Sequence, residues 1–256
     1  MTPRQSRSLK FEYQDYLERE IENYKDSVSR KVLLSIADDA VAVIAAKEQV
    51  ELGEMTLCIE VDKIISKRLR LPTFAVWQSR RVKLLKELRR PEHWGLSRDH
   101  AVVRAVQSVT GDSRVLLAGA LIDSPALYLA ANGCDVTALA APDDVQRVLD
   151  AAREAGLGDY VHASTLGLDC FTPDAPLSAV IYSPAAFKGL SAAERARVIQ
   201  VLQSATADGG VHLVQTIVAG KRTPVSIDEL RRRYRGWDVT VDEGESNSFL
   251  ARKGVA

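Results

Sequence analysis

Cysteine is scarce in this chain of 256 residues, with three only, at 58, 134 and 170. An odd number, widely spaced and without a CxxC pair, excludes a disulfide framework and a cysteine-based zinc site, and fits a reducing cytoplasm. Histidine is nearly as rare, and His93, His100, His162 and His212 never fall at metal-ligand spacing. No apolar run approaches the roughly 18 residues of a membrane span, and Thr2 to Lys10 lacks the apolar centre of a secretory signal. A cytoplasmic protein without membrane contact is therefore expected. Neither sign of charge is in excess: 34 Lys and Arg face 34 Asp and Glu, so only the distribution of charge can point to a partner. What remains, 46% hydrophobic and 27% charged, is the composition of a globular chain long enough for one large domain or two smaller ones.

The first hundred residues carry a helical period. Tyr13, Leu17, Ile21 and Tyr24 recur at spacings of three and four, which predicts an amphipathic helix over 11–29. A second helix is predicted over 31–50, where Val32, Leu33, Leu34, Ile36, Ala37, Val41, Val43 and Ile44 make it mostly apolar, with Gly53 closing the region. Val61, Ile64, Ile65 and Leu69 continue the period, as do Phe74, Trp77, Leu84, Leu85 and Leu88. Leu71-Pro72-Thr73 interrupts it, because proline disfavours helix at the residue before it and threonine can cap the next one.

Charge is concentrated in the same place. Residues 61–90 hold Lys63, Lys67, Arg68, Arg70, Arg80, Arg81, Lys83, Lys86, Arg89 and Arg90 against Asp62 and Glu87 alone. Helix, short turn and basic helix is the outline of a helix-turn-helix or winged-helix element, and Lys67, Arg68, Arg70, Arg80, Arg81, Lys83 and Lys86 become candidates for nucleic-acid phosphates. The competing explanation is a solvated helix face. Pro91 to Gly95 then breaks the helix, and a connecting helix is predicted over 97–112, closed by Gly111 and Asp112. The boundary between a helical N-terminal domain and the rest is placed at residue 100.

From Arg114 onward the period changes. Short apolar strands are predicted over 115–118, 135–139, 160–163, 179–183 and 210–217, alternating with helices over 125–132, 142–155 and 191–205. Ser191 with Glu194, and Ser226 with Glu229, have the spacing of capping boxes. A helix over 227–234 precedes strands over 237–241 and 248–253, joined by a Glu243-Gly244-Glu245 turn. The alternation implies a parallel sheet covered on both faces, and the terminal hairpin implies one antiparallel strand at its edge.

Residues 114–253 resemble the tellurite-resistance type of class I S-adenosylmethionine (SAM)-dependent methyltransferase. Val115-Leu-Leu-Ala-Gly119 is similar to the first strand and its turn, and Asn132-Gly-Cys-Asp-Val-Thr137 to the entry into the second strand. Ala207-Asp-Gly-Gly-Val-His-Leu213 resembles the turn into the fifth. Glu229-Leu-Arg-Arg-Arg-Tyr-Arg-Gly-Trp237 resembles the late helix and sixth strand, and Phe249-Leu-Ala-Arg-Lys253 the last strand. The resemblance implies a Rossmann-like α/β fold with a seven-stranded sheet whose last strand is reversed.

The resemblance also implies where a cofactor would sit, and there the sequence departs from the family. The family pattern at the first loop is Asp-x-Gly-x-Gly-x-Gly; this chain reads Leu117-Ala-Gly-Ala-Leu-Ile-Asp123. Gly119 is kept. Leu117 stands in the acidic position, and Leu121 and Asp123 stand at the second and third glycines. Ala140 replaces the carboxylate that would hold the ribose hydroxyls, a loss of about 1.5–3 kcal/mol for a charged hydrogen bond. Asp123 or Ser124, followed by Pro125, is expected to cap the next helix. Asp143 or Asp144 could supply the missing acid, or merely favour the start of its own helix.

Other chemistry is thinly represented. A dinucleotide site is excluded, because GxGxxG and the downstream acid are both missing. Ser183 has no GxSxG elbow, and His162 and His212 have no adjacent triad partners. Tyr182 and Lys188, after the fourth strand, could touch a ligand. Arg231, Arg232, Arg233 and Arg235 form a second basic cluster, either a solvated face or an anion-binding surface.

Three functions follow as expectations. The first is a non-catalytic methyltransferase-fold protein with no cofactor, acting as a nucleic-acid-binding regulator or scaffold through segment 61–90. The second is an active methyltransferase that binds SAM in an altered pocket, with its N-terminal helices as a substrate lid. The third is a protein-interaction module, a homo-oligomer or the partner of another protein, built on helices 11–29 and 31–50.

Overall fold

The structure is a computed structural model. It describes residues 8–46, 53–107, 113–215, 217–218, 221–222, 225–242 and 248–255. The chain divides into two compact units, Met1–Leu84 and Leu85–Ala256. This division falls before residue 100, inside a helix. The cause is apolar: Leu88 is buried in the core of the second unit, and Leu85 and Trp94 pack against that core.

The first unit is helical throughout its described residues. Helices α1 (Leu9–Ser27), α2 (Arg30–Ala45), α3 (Glu54–Arg68) and α4 (Phe74–Leu88) follow the predicted period, with shifted ends. Ser8 starts α1 by accepting the Phe11 amide hydrogen at 3.3 Å. Ile21, Ile36 and Ile65 form the centre of a small core, joined by Tyr24, Val32, Val61, Ile64, Leu69 and Leu71. α4 is tied to α1 by aromatic contacts, with Tyr13 at 5.4 Å from Phe74 and 5.5 Å from Trp77. The Tyr13 hydroxyl also donates to the Pro72 carbonyl at 2.9 Å.

The end of α3 is unusual. Arg70 has φ +52°, in the left-handed region normally given to glycine. Its amide donates to Lys67 O at 3.1 Å, while the Leu71 amide reaches Ser66 O at 3.0 Å. These are the two bonds of a Schellman motif, with arginine where glycine is usual and Leu71 making the accompanying apolar contact.

The second unit is built on the strands β1 (Arg114–Ala118), β2 (Asp135–Leu139), β3 (Val161–Ser164), β4 (Leu177–Tyr182), β5 (Thr206–Gln215), β6 (Ile217–Val218), β7 (Lys221–Arg222), β8 (Asp238–Asp242) and β9 (Ser248–Arg252). Seven of them form one sheet in the order β3-β2-β1-β4-β5-β9-β8, and β6 pairs with β7 alone. β1 to β5 run parallel and β9 is antiparallel to both β5 and β8. The reversed strand is therefore interior, and the sheet edge expected to be antiparallel is instead β8. Residue choice explains the placement. Phe249 and Ala251 of β9 are wholly buried, whereas β8 turns Asp238 and Thr240 toward solvent, as an edge strand should.

Helices cover both faces. α5 (Ala101–Ala105), α6 (Asp123–Ala131) and α7 (Pro142–Glu154) pack over one core, and α8 (Ala192–Ala205) and α9 (Ile227–Arg233) over the other. α5 is shorter than the helix predicted over 97–112; Gly111, Asp112 and the Glu243-Gly244-Glu245 turn lie outside the described residues. Ser191 and Glu194 form the complete capping box at α8. At α9 only one arm is present. Ser226 accepts the Glu229 amide hydrogen at 3.2 Å, while the Glu229 carboxylate turns instead to Arg233.

Candidate functional site

The loops at the carboxyl ends of β1, β2 and β4 meet where such sheets hold ligands. Parallel register pairs Ala118 with Leu139 on one side and with Tyr182 on the other. The next residues, Gly119, Ala140 and Ser183, are thereby brought to one edge. The Gly119 amide donates to Leu139 O at 2.9 Å, and the Ser183 amide donates to Ala118 O at 2.8 Å.

The loop amide beyond Gly119 is already satisfied. Ala120 N–H donates to Ser183 Oγ at 2.7 Å. Gly119 sits at φ +116°, and a Cβ built there would lie 1.9 Å from Ser183 Oγ and 3.0 Å from the Ala186 nitrogen. Gly119 is thus required for the approach of Ser183 and the 3-10 turn Pro184–Phe187. Leu121, two residues on, keeps a glycine-like backbone at φ +57° while its side chain is 79% exposed. Leu117, in the position of the family acid, is buried in the core.

Two of the three acidic side chains near the loop, Asp123 and Asp144, are also committed. Asp123 and Ser124 do not cap α6. The residue before α6 is Ile122, which offers no side-chain cap, and Asp123 is the first helical residue. The Asp123 carboxylate turns instead toward α7, where it accepts from Arg147 Nε. Arg147 Nη2 donates to Asp144 Oδ1 at 2.5 Å, so one guanidinium bridges both acids. Asp143 remains exposed on the first turn of α7, and Ala140 carries its backbone bond to Ser164 O at 3.1 Å.

Tyr182 does not reach this edge. It is wholly buried, its ring 5.3 Å from Phe187 and 5.9 Å from His212. Burial first, then the neighbouring Tyr234, raises its hydroxyl well above the usual range. The two hydroxyls interact electrostatically, but no hydrogen bond of normal geometry satisfies Tyr182 among the described residues. Lys188 is exposed.

His212 anchors a polar chain inside the same core. Thr206 Oγ1 donates to Leu202 O at 2.6 Å and lies 2.7 Å from His212 Nε2; His212 Nδ1 lies 2.6 Å from the Tyr234 hydroxyl. With the threonine hydrogen used on Leu202, the network assigns the proton to Nε2 and makes Nδ1 an acceptor from Tyr234. Burial, then Lys253, lowers the imidazole to about 3. It is a neutral core histidine, not a base. His162 Nε2 lies 3.2 Å from Asp135 at the partly exposed sheet surface.

Of the seven cations proposed for nucleic acid, Lys67, Arg68, Arg70, Arg80, Lys83 and Lys86 are exposed. Arg68 pairs with Asp39 at 2.9 Å. Arg81 lies on the opposite side of α4 from Lys83, given about 100° of turn per residue, and pairs with Glu12 at 3.1 Å with only 15% of its side chain exposed. Arg81 is therefore part of the α1–α4 contact. Ser183, which the sequence offers only as a nucleophile, and Arg147, which it does not single out, are the two side chains that hold the loop amide and the acids. The Asp144 to Arg147 spacing was the one available signal.

No family model matches the sequence, and no characterised protein matches it in sequence. Comparison with solved structures does find likenesses. TehB from Haemophilus influenzae superposes with a TM-score of 0.50 at 16% identity, covering 63% of this chain and 65% of that one. The chain thus spans just under two thirds of that relative. Two weaker likenesses are the [4+2]-cyclase SpnF (TM-score 0.49, 18% identity, 60% and 79% covered) and the glycopeptide N-methyltransferase MtfA complexed with SAM (0.44, 16%, 56% and 87%). The fold is that of the class I SAM-dependent methyltransferases. Among the described residues no helix is long and apolar enough to cross a membrane, and no group of His, Cys, Asp and Glu is arranged to hold a metal ion.

Proposed function

We propose that this chain is a non-catalytic binding protein on a methyltransferase fold, whose basic α4 and the preceding turn contact nucleic-acid phosphates. The observation that carries the first half is the closure of the loop by its own residues. SAM requires open amides, a glycine-lined approach and a ribose carboxylate. Here Ser183 takes the Ala120 amide, Leu121 projects from the loop, Ala140 offers no acid, and Arg147 holds both Asp123 and Asp144. The residues present do not fit SAM, and no methyl-transfer step is derived from them.

The second half rests on α4. Arg80 and Lys83 are three residues apart on one exposed face, with Lys86 one further turn along. Lys67 and Arg70 are exposed before it, and the one acid paired with this turn among the described residues is the Asp39 that Arg68 already uses. Such a face neutralises phosphates without reading bases.

Titration calorimetry with SAM and with its demethylated product tests the first half; micromolar binding of either overturns it and restores the active enzyme as the better reading. Fluorescence anisotropy with labelled duplex DNA at low salt tests the second, and no binding there overturns it.

A specific feature favours a second reading, self-association of the helical unit. Leu34, Val41 and Val43 on α2, and Met55 and Ile59 on α3, are exposed apolar side chains in one small unit. Light scattering on the intact chain and on a Leu34→Glu/Ile59→Glu variant tests it, a monomer in both cases ruling it out.

A further inference from the structure

The basic cluster of α9 does more than face solvent. A cleft of about 560 Å³ opens beside it, lined by Ala192, Glu229, Arg232 and Arg233. That volume is within the roughly 300–1,000 Å³ of small-ligand pockets. Ala192 is the first residue of α8, so the positive end of that helix forms one wall.

The charges are arranged rather than merely crowded. Glu229 Oε1 accepts from both Nε and Nη2 of Arg233, at 3.1 and 3.0 Å, which fixes the guanidinium plane. Glu229 Oε2 lies 3.9 Å from Arg195 Nη2, and Arg195 Nη1 donates to Leu190 O at 2.8 Å. Arg195 Nε is buried with no partner among the described residues. Arg232 makes no ion pair among the described residues, and the nearby Glu194 carboxylate is used on the Ser191 amide. Arg195 and Arg233 therefore share the Glu229 carboxylate while Arg232 pairs with none, and the surplus is positive.

We infer that this cleft is a binding site for a small phosphomonoester. Arg232 supplies a free fork, and Arg233, with Nε and Nη2 held on Glu229, offers its remaining Nη1 edge in a fixed plane, so that donors reach a phosphate group from two side chains. Glu229 keeps acceptor capacity on Oε2 for a hydroxyl or amino group next to the phosphate. The carboxylate in the wall and the concave shape both disfavour a nucleic-acid backbone, which would track a convex, uniformly positive face. The site lies on α8 and α9, and does not depend on the α4 surface or on the state of the β1 loop.

The test is calorimetric titration of the full chain, in a phosphate-free buffer of low ionic strength, with inorganic phosphate and with glycerol 3-phosphate. Both should bind saturably, glycerol 3-phosphate more tightly. Arg232→Gln, which breaks no ion pair, should weaken both by about tenfold, the loss of one charged fork. Arg231→Gln, adjacent in sequence but outside the cleft wall, should stay within about twofold, because it contributes only long-range field. Circular dichroism melts of each variant establish that it is folded. No saturable binding by the parent chain overturns the site, and so does an Arg231→Gln loss equal to that of Arg232→Gln.

Discussion

The Ser183 hydroxyl accepts the Ala120 amide hydrogen at 2.7 Å, in the mouth of the loop after β1. A residue that follows β4 thus does, inside the protein, what a bound ligand would otherwise do for that amide. The arrangement depends on Gly119, the one loop glycine kept, because a Cβ there would overlap Ser183.

Ser183→Ala should destabilise the chain by about 1–3 kcal/mol, because it leaves a part-buried amide unsatisfied. Gly119→Ala should cost about 3 kcal/mol, combining an overlap with Ser183 and a disfavoured backbone angle. In the double variant Gly119→Ala/Ser183→Gly the overlap is relieved but the angle is not, so the losses should be less than additive. Urea unfolding of the parent, the double variant and its two single variants measures this, and additive losses would show that the two residues do not meet.

Two residues hold glycine-like backbone without being glycine. Leu121→Gly and Arg70→Gly should each stabilise by about 1 kcal/mol, since the left-handed region costs an L-residue about 1–2 kcal/mol. The gain is offset in part by the greater freedom glycine has when unfolded. A lower thermal midpoint in both variants would contradict the φ values of +57° and +52°.

Most of the architecture was legible before any coordinates, because strand and helix periods differ and each strand of the sheet is a short apolar run. The departures at Leu117, Leu121 and Ala140 were legible too, because a family pattern can be compared one position at a time. The contacts that Ser183 and Arg147 make there were not. Ser183 and Ala120 are 63 residues apart, and Arg147 and Asp123 are 24 apart; both contacts exist only once parallel register is set. The Schellman end of α3 was hidden because its sequence signal is glycine and the position holds Arg70. The interior place of β9 followed from burial of Phe249 and Ala251, which a hairpin pattern cannot rank against β8.

The α4 surface predicts a division among arginines that look alike in sequence. Arg80→Gln/Lys83→Gln should lower DNA affinity and reduce the slope of log affinity against log salt by about 2, one for each phosphate that is no longer neutralised. Arg81→Gln should leave the slope unchanged and lower the stability of the helical unit, because it breaks the mostly buried pair with Glu12. Anisotropy at several salt concentrations separates the two effects. A reduced slope in Arg81→Gln would place that side chain on the DNA.

His212 makes the second unit sensitive to acid, and the sign follows from its burial. In the folded chain the imidazole stays neutral down to about 3, whereas the unfolded chain protonates near the ordinary value of 6.5. Between those limits the unfolded state binds more protons, so stability from this group is full above about pH 6.5 and is lost as pH falls toward 3, by at most about 1.4 kcal/mol per pH unit. His212→Phe removes the titration together with the bonds to Thr206 and Tyr234, so it should be clearly less stable than the parent at pH 7.5. The gap should then narrow as pH falls from 6.5 to 4.5, because only the parent pays for keeping an imidazole neutral. Taking the difference between parent and variant at each pH cancels the titration of the carboxylates common to both. A gap that stays constant from pH 7.5 to 4.5 would mean that His212 takes up protons in the folded state as readily as in the unfolded one.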